Sequence, residues 1–427
     1  MRRGGHGVPP RQWNGSLTGK AVVLKTTGSL PCRFESCPFR QNTIAVGRAV
    51  SRCDTQGADE IEEELMPRFI PGLKLSSLFY REAVKPIIDN EFPRLRYSAA
   101  LIGWGSEVLG FDTSLSSDHH WGPRVLLFLR EDDYPELSNK ISAKLAEKLP
   151  YKFKGYSTNF SEPEPNGVRH PVTITSGPVN HMVNIYTVRG FVSARLGVGI
   201  DHDISMKSWL TFPQQRLLEL TAGEVFHDGL GELNKLRRRL RYYPKDIWLY
   251  MLAAQWTRIS QEEAFVGRTG ELGDELGSRI VAARTVRELI KLAFLMERQY
   301  TPYNKWLGST FNKLKISKKL GSPLKRVLAA ENWKSRERWL SESYVIIARQ
   351  HNALKITSPM RAEVTNYFER PYKVIHGDQF AAAIKKVIRS REVKALRTDV
   401  GSIDQFTDST NVIEDRQLCE RLQIAYN

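Results

Sequence analysis

Cysteine is scarce in this chain. Its 427 residues hold four; Cys32, Cys37 and Cys53 fall in the first segment, leaving Cys419 alone elsewhere. That number cannot build a disulfide framework at this length, so the sequence reads as cytoplasmic and reduced. Cys32 and Cys37 have half of a zinc-site spacing, with no second pair to complete it. Long apolar runs are missing too. None approaches the roughly 20 residues a membrane helix needs, and the N-terminus lacks the apolar core of a secretory signal. A membrane partner is therefore not expected. No internal repeat is visible. Acids are outnumbered, 47 Asp and Glu against 63 Lys and Arg, giving a formal charge of +16. Such an excess points to an anionic partner, nucleotide or nucleic acid, or simply to a basic surface without special purpose.

What is present is ordinary globular composition, 41% hydrophobic and 26% charged, and enough length for two or three domains. Residues 1–65 mix Gly, Arg, Ser and Pro without a sustained period and read as a disordered extension. Arg33-Phe34-Glu35-Ser36-Cys37 back-translates to a T-arm sequence shared by transfer-RNA genes, so the segment reads as a spurious, over-extended start before Met66. From there the apolar spacing predicts a helix over 77–90, strands over 98–102 and 125–129, a helix over 134–149, and strands over 151–160 and 183–188. Short helical pieces at 208–210 and 213–221 and a strand at 224–227 complete a sheet domain, 66–243. After Pro244 the signal is helical, over 246–265, 274–300, 305–314 and 336–354, and predicts a helical domain, 244–427. The expected fold class is α+β, a small mixed sheet followed by an all-helical domain.

The chemistry gathers at residues 101–130, LIGWGSEVLGFDTSLSSDHHWGPRVLLFLR. A buried strand runs into Gly103-Trp104-Gly105-Ser106, then a polar loop closes on Asp118-His119-His120 ahead of a second strand. Gly105 lets backbone N–H groups approach phosphate oxygens, the Ser106 hydroxyl adds a donor, and a helix opening after the serine would add its positive end. Gly105-Ser106, eleven intervening residues, then Asp118 resembles the nucleotidyltransferase signature, a Gly-Ser turn followed by an acid-x-acid pair. The resemblance implies that Asp118 and its partner hold a divalent metal, magnesium or manganese, which bridges the triphosphate of an NTP and helps activate an acceptor hydroxyl. Here His120 stands where the second acid belongs, and Asn184 where a third would come from a later strand. Imidazole suits manganese or zinc better than magnesium. Asp112, Asp201, Asp203 and Asp228 are the nearby acids that could substitute.

Beyond the signature, MPRFIPGLKLSSLFYREAV, GSEVLGFDTSLSSDHHWGPR, TAGEVFHDGLG, QEEAFVGRTGELGDELGSR, YTPYNKWLG and GSIDQFTDS resemble an uncharacterised bacterial family, a domain of unknown function within the nucleotidyltransferase superfamily. The layout also resembles aminoglycoside nucleotidyltransferases, which implies a deep cleft between the domains. On that reading Asp118 and His120 are catalytic and metal-binding, and Gly105 and Ser106 clamp phosphate. Lys305 reaches a β- or γ-phosphate, Arg258 and Arg268 help hold the nucleotide, and Glu262 or Glu263 is a general base. The bland alternative for the 258–279 cluster is solvated i,i+4 ion pairs, and for Lys305 a surface lysine beside Trp306.

The acceptor is open: a small molecule, tRNA or a protein. The function expected is metal-assisted transfer of a nucleoside monophosphate. The alternative is a catalytically degenerate nucleotide binder, and a lesser one a phosphoesterase of the Asp-His-His type, for which no upstream Asp-x-Asp is present. The run Arg237-Arg238-Arg239-Leu240-Arg241 reads as a solvated helix face. His181, His202 and His227 read as structural, and Gly401-Ser402 as a helix cap or docking loop.

Overall fold

The computed structural model describes residues 68–165, 167–199, 203–396 and 399–427. The expected extension 1–65, with Asp201 and His202, lies outside the described residues. In chain order the first lobe contains α1 (Gly72–Phe79), a π-helical turn (Tyr80–Val84), α2 (Lys85–Glu91), β1 (Tyr97–Leu101), β2 (Arg124–Leu129), α3 (Tyr134–Lys148), β3 (Lys152–Phe153), β4 (Tyr156–Ser157), β5 (Met182–Thr187), α4 (Val188–Leu196), α5 (Met206–Thr211), α6 (Gln214–Thr221), β6 (Glu224–Asp228) and α7 (Glu232–Arg239). The rest contains α8 (Lys245–Glu262), α9 (Phe265–Glu271), α10 (Glu275–Met296), α11 (Asn304–Phe311), α12 (Ser317–Ala329), α13 (Trp333–Ala353), β7 (Thr365–Tyr367), β8 (Arg370–Val374), α14 (Gly377–Val387), α15 (Arg391–Lys394), α16 (Ile403–Phe406), α17 (Thr410–Glu414) and α18 (Arg416–Arg421). Among the described residues no helix is long and apolar enough to cross a membrane.

The fold is α+β, with a mixed four-stranded sheet of order β5-β2-β1-β6. β1 pairs antiparallel with β2 and β6, and β2 pairs parallel with β5. Every residue of β1 and β2 is buried, which is why 99–102 and 125–129 read in sequence as apolar runs. Successive side chains leave a strand on opposite faces. Val125, Leu127 and Leu129 accordingly join Leu75, Phe79, Ile141 and Leu145 in one core. Leu126 and Phe128 join the second core, with Phe191, Trp209 and the helices after Pro244. That second core runs unbroken across the expected 243/244 boundary.

Local chemistry explains the irregular elements. Pro86 lacks an N–H and would press on the carbonyl one turn back, and the helix widens into its π turn just before it. The strand expected over 151–160 is reduced to the two rungs β3 and β4. Lys154 and Gly155, at φ +51° and +86°, turn the chain back at once. Eleven of the eighteen residues of α8 are buried, so it is the central helix and shows no single apolar stripe. The region after Pro244 is not wholly helical, since β7 and β8 form a hairpin. Helices α4, α12 and α14 went unpredicted, and of α7 only the run from Arg237 was read as helical.

Candidate functional site

β1 ends at Leu101 and delivers the glycine loop. Gly103 and Gly105 sit at φ +96° and +129°, and Ser106 to Gly110 form a turn, closed by Phe111 N–H on the Ser106 carbonyl at 2.9 Å. No helix opens after Ser106, contrary to expectation, so the positive helix end predicted for phosphate is absent here. Packing dictates Gly105. A Cβ would stand 2.4 Å from Arg124 Nη2 and 2.5 Å from Glu107 Oε2. Arg124 and Glu107 are buried, with Nη2 and Oε1 2.5 Å apart, an ion-pair approach not aligned as a hydrogen bond. Arg124 also donates to the Trp104 carbonyl at 2.6 Å and lies 4.3 Å over the Trp104 ring. Burial pushes the Glu107 carboxyl up, with Arg124 pulling against it. The underside of the Gly-Ser turn is thus filled by a buried ion pair.

Asp118, His119 and His120 lie in a loop ahead of β2, not on the strand. Asp118 is exposed, with Oδ1 2.9 Å from His119 Nδ1. The loop docks on the segment around His170, whose Nδ1 is 3.0 Å from the Asp118 carbonyl and whose Nε2 is 3.1 Å from Glu164. His120 holds φ +50°, donates its N–H to the Arg169 carbonyl at 2.8 Å, and meets the Trp104 ring edge-on at 4.8 Å. Its Nδ1 is buried without a partner. Burial first, then the charge of Arg124, pushes this imidazole down to about 4.

The substitute acids are occupied elsewhere. Asp112 Oδ2 accepts from the Gly72 N–H at 2.6 Å and the Trp121 indole at 2.9 Å. Asp228 accepts from Ser98 Oγ at 2.8 Å and from the first turn of α7. Asp203 lies 3.8 Å from Arg239. Asn184 pairs with Leu126 across the sheet. Among the described residues no group of three His, Cys, Asp or Glu could hold a metal ion. An exposed carboxylate, a half-buried imidazole and a carboxamide do not fit magnesium, which takes oxygen donors in near-octahedral geometry.

Among the described residues none of the helical candidates hydrogen-bonds or ion-pairs with Asp118 or His120. Glu263 accepts from the N–H groups of Ile375, His376 and Gly377 at 2.7, 3.1 and 3.3 Å. It thus caps the start of α14, and burial pushes it up to about 7. Its carboxylate is engaged as a cap, which corrects the general-base expectation. Glu262 pairs with Arg284 at 3.1 Å, and Arg258 with the buried Glu288 at 3.1 Å. Arg268 is exposed, 5.6 Å over Phe265. Lys305 is exposed, with Nζ 5.0 Å over Trp306. Trp306 itself stacks on Phe111, centroids 4.9 Å apart, and so seats α11 on the glycine loop.

An open cleft lies between α6, α10, α11 and the 404–414 segment, and neither Lys305 nor Arg258, Glu262, Glu263 or Arg268 lines it. One wall is α6, with Gln214, Gln215, Arg216 and Glu219; Arg287 and Lys291 of α10 face it. Tyr303, Asn304 and Leu307 supply the α11 side, and Asp404, Asp408, Ile413 and Glu414 close it. Gln214 and Gln215 accept from the Thr301 and Tyr303 N–H groups at 2.8 and 3.2 Å, which ties the walls together. Lys291 donates to the Asp404 carbonyl at 2.7 Å, while Asp404 Oδ2 takes the Gln214 N–H at 2.9 Å. Burial pushes Asp404 up to about 6 and Lys291 down. Arg287 pairs with Asp408 at 3.0 Å.

A groove adjoins this cleft and shares Arg216 and Ile413 with it. Arg195, Arg216 and Arg416 line the groove against one acid, Glu420. Arg195 also borders the glycine loop, with Nη2 3.1 Å from where a Gly103 Cβ would stand. The Glu219 carbonyl also takes the Gly103 N–H at 2.8 Å. Sequence reading missed Arg195, Arg216, Arg287 and Lys291 because each is one cation on a helix of ordinary pattern. Asp404 was in view, as was the Tyr303-Asn304 stretch, but nothing local shows that they share a cavity.

A family model described as a domain of unknown function, DUF4037, matches residues 209–307, which run from α5 into α11 and carry most of the cleft wall. Among solved structures the chain is similar to a nucleotidyltransferase-like protein from Exiguobacterium sibiricum. Identity is 9% and the TM-score 0.28, over 72% of this chain and 88% of that one. No curated protein matches the chain.

Proposed function

We propose that this chain binds a nucleotide between its lobes, on a nucleotidyltransferase-like arrangement that lacks the full carboxylate set for metal-assisted transfer. The observation that carries the reading is the pair of joined cavities. One has an apolar wall of Pro302, Tyr303, Leu307 and Ile413, suited to a base and its sugar. The other presents three arginines against one glutamate, and guanidinium forks match phosphate oxygens. They join at Arg216 and Ile413, and Arg195 of the groove lies against Gly103 of the glycine loop. The donor set at Asp118, His120 and Asn184 supports binding over transfer.

Calorimetric titration with the four NTPs and their diphosphates, with and without magnesium, tests this. Arg416→Ala, on an exposed helix, should weaken binding about tenfold or more by removing one charge-assisted contact. Absence of binding by every nucleotide, or indifference to Arg416→Ala, sinks the reading. The transfer alternative is tested in parallel with α-labelled NTPs, magnesium or manganese, and a cell extract. Label moved to an acceptor, and lost in Asp118→Ala, would select the enzyme, with Asp118 and His120 at the metal and Lys305 on the triphosphate.

A further inference from the structure

The net charge of the chain is unevenly placed. Residues 303–340 hold ten Lys and Arg against two Glu and no Asp, a local excess of eight (10 − 2) within a chain of formal charge +16. A charge run is usually a solvated face with partners of opposite sign. Such pairs occur elsewhere on this surface, as in Lys85–Asp89, Lys140–Glu136, Lys144–Glu147 and Lys385–Asp399. On 303–340 the pattern fails. Arg336 is buried against Glu275; the other nine cations are exposed. Among the described residues none of the nine forms an ion pair. Uncompensated like charges on one face oppose the compact state, and an anion relieves the repulsion.

The nine cations follow one another from α11 through α12 to the start of α13. α12 buries Leu320, Leu324 and Val327 and turns Lys318, Lys319, Lys325 and Arg326 outward. Arg326 reaches α13, where its guanidinium lies 4.4 Å over Trp339, with Arg338 4.6 Å from the same ring. At the other end Lys313 stands 3.7 Å over Phe111, which is stacked on Trp306, with Lys305 beside it. Trp306, Trp333 and Trp339 are each half-buried among these cations. Flat rings interleaved with unpaired cations are what a polyanion of stacked bases requires. An anionic membrane would call for protruding aliphatic side chains as well, and Leu328 is the one large hydrophobic exposed here among the described residues.

We propose that the face formed by α11, α12 and the start of α13 binds single-stranded nucleic acid. The lysines would track the phosphates and the tryptophan rings would stack on bases. This rests on the basic face alone and does not depend on the nucleotide reading of the cleft.

Fluorescence anisotropy with labelled oligo-U and oligo-dT strands about 20 nucleotides long, and with a duplex of the same length, tests it on the full chain. Sedimentation with phosphatidylserine vesicles runs beside it. Single strands should bind in preference to duplex, with affinity falling steeply as salt rises. The relative affinity of oligo-U and oligo-dT then says whether the natural source is RNA or DNA. Charge reversal at Lys318, Lys319 and Lys325 together (each →Glu) should lower affinity by about tenfold or more. Reversal of Lys140 and Lys144 on α3 should not. Trp339→Leu, checked for native melting, should lower affinity for oligonucleotides while leaving heparin binding intact. Absence of oligonucleotide binding at low salt overturns the proposal, as does indifference to the triple reversal. Vesicle binding without oligonucleotide binding overturns it too and assigns the face to membrane.

Discussion

The Phe111 and Trp306 rings lie flat on one another, centroids 4.9 Å apart and planes within 9°. The first belongs to the glycine loop of the sheet lobe and the second to α11 of the helical lobe, so one aromatic pair sets the position of the cleft wall. Trp306→Ala should cost about 1–2 kcal/mol in urea unfolding, while Lys305→Ala, on an exposed neighbour, should cost under about 0.5 kcal/mol. Equal effects of the two changes would show that the stack does not hold the lobes.

Arg124 and Glu107 are a buried pair under Gly105. Removing one charge leaves the other buried and unpaired, so Arg124→Met should destabilise by about 3–5 kcal/mol. Replacing both partners with methionine should recover most of that loss. A double variant as unstable as the single one would mean that the Arg124 bond to the Trp104 carbonyl, not the ion pair, sustains the loop.

His351 packs against Trp256 and Phe380, and burial pushes its imidazole down to about 4 from 6.5. A folded-state value below the ordinary one means that the stabilisation is fully present above pH 6.5 and is lost as pH falls toward 4. His120, at about 4, acts in the same sense. Glu263 and Asp404, raised to about 7 and about 6, act oppositely: their contribution is present below the ordinary carboxyl range and is lost as pH rises through those values. Between pH 6.5 and 4, His351→Phe should therefore lose less stability than the parent chain, by up to about 2–3 kcal/mol. Parallel pH profiles would contradict this.

Asp118 is exposed and its carboxylate touches His119. Asp118→Ala should change stability by under about 0.5 kcal/mol and leave nucleotide affinity in the cleft unaltered. A marked loss of affinity would move the nucleotide from the cleft to the Asp118 loop.

Local pattern determined much of this protein. The apolar runs at 98–102 and 125–129 became β1 and β2, and the spacing of Leu137, Ile141 and Leu145 became α3, because burial of a face imposes its own period on the sequence. The α+β class and the Gly-Ser turn between two strands were legible in the same way. Tertiary structure decided which polar groups remain for chemistry. Asp112, Asp228 and Glu263 look like candidate ligands or bases in sequence, yet each accepts backbone N–H groups. The cleft is assembled from residues 214–219, 287–291, 301–307 and 404–414, which no local window brings together. Periodicity is a property of neighbours along the chain, whereas the partner of a carboxylate or a guanidinium is set by which distant segment packs beside it. Only packing, too, shows that among the described residues nine of the ten cations of 303–340 form no ion pair, the exception being Arg336 on Glu275.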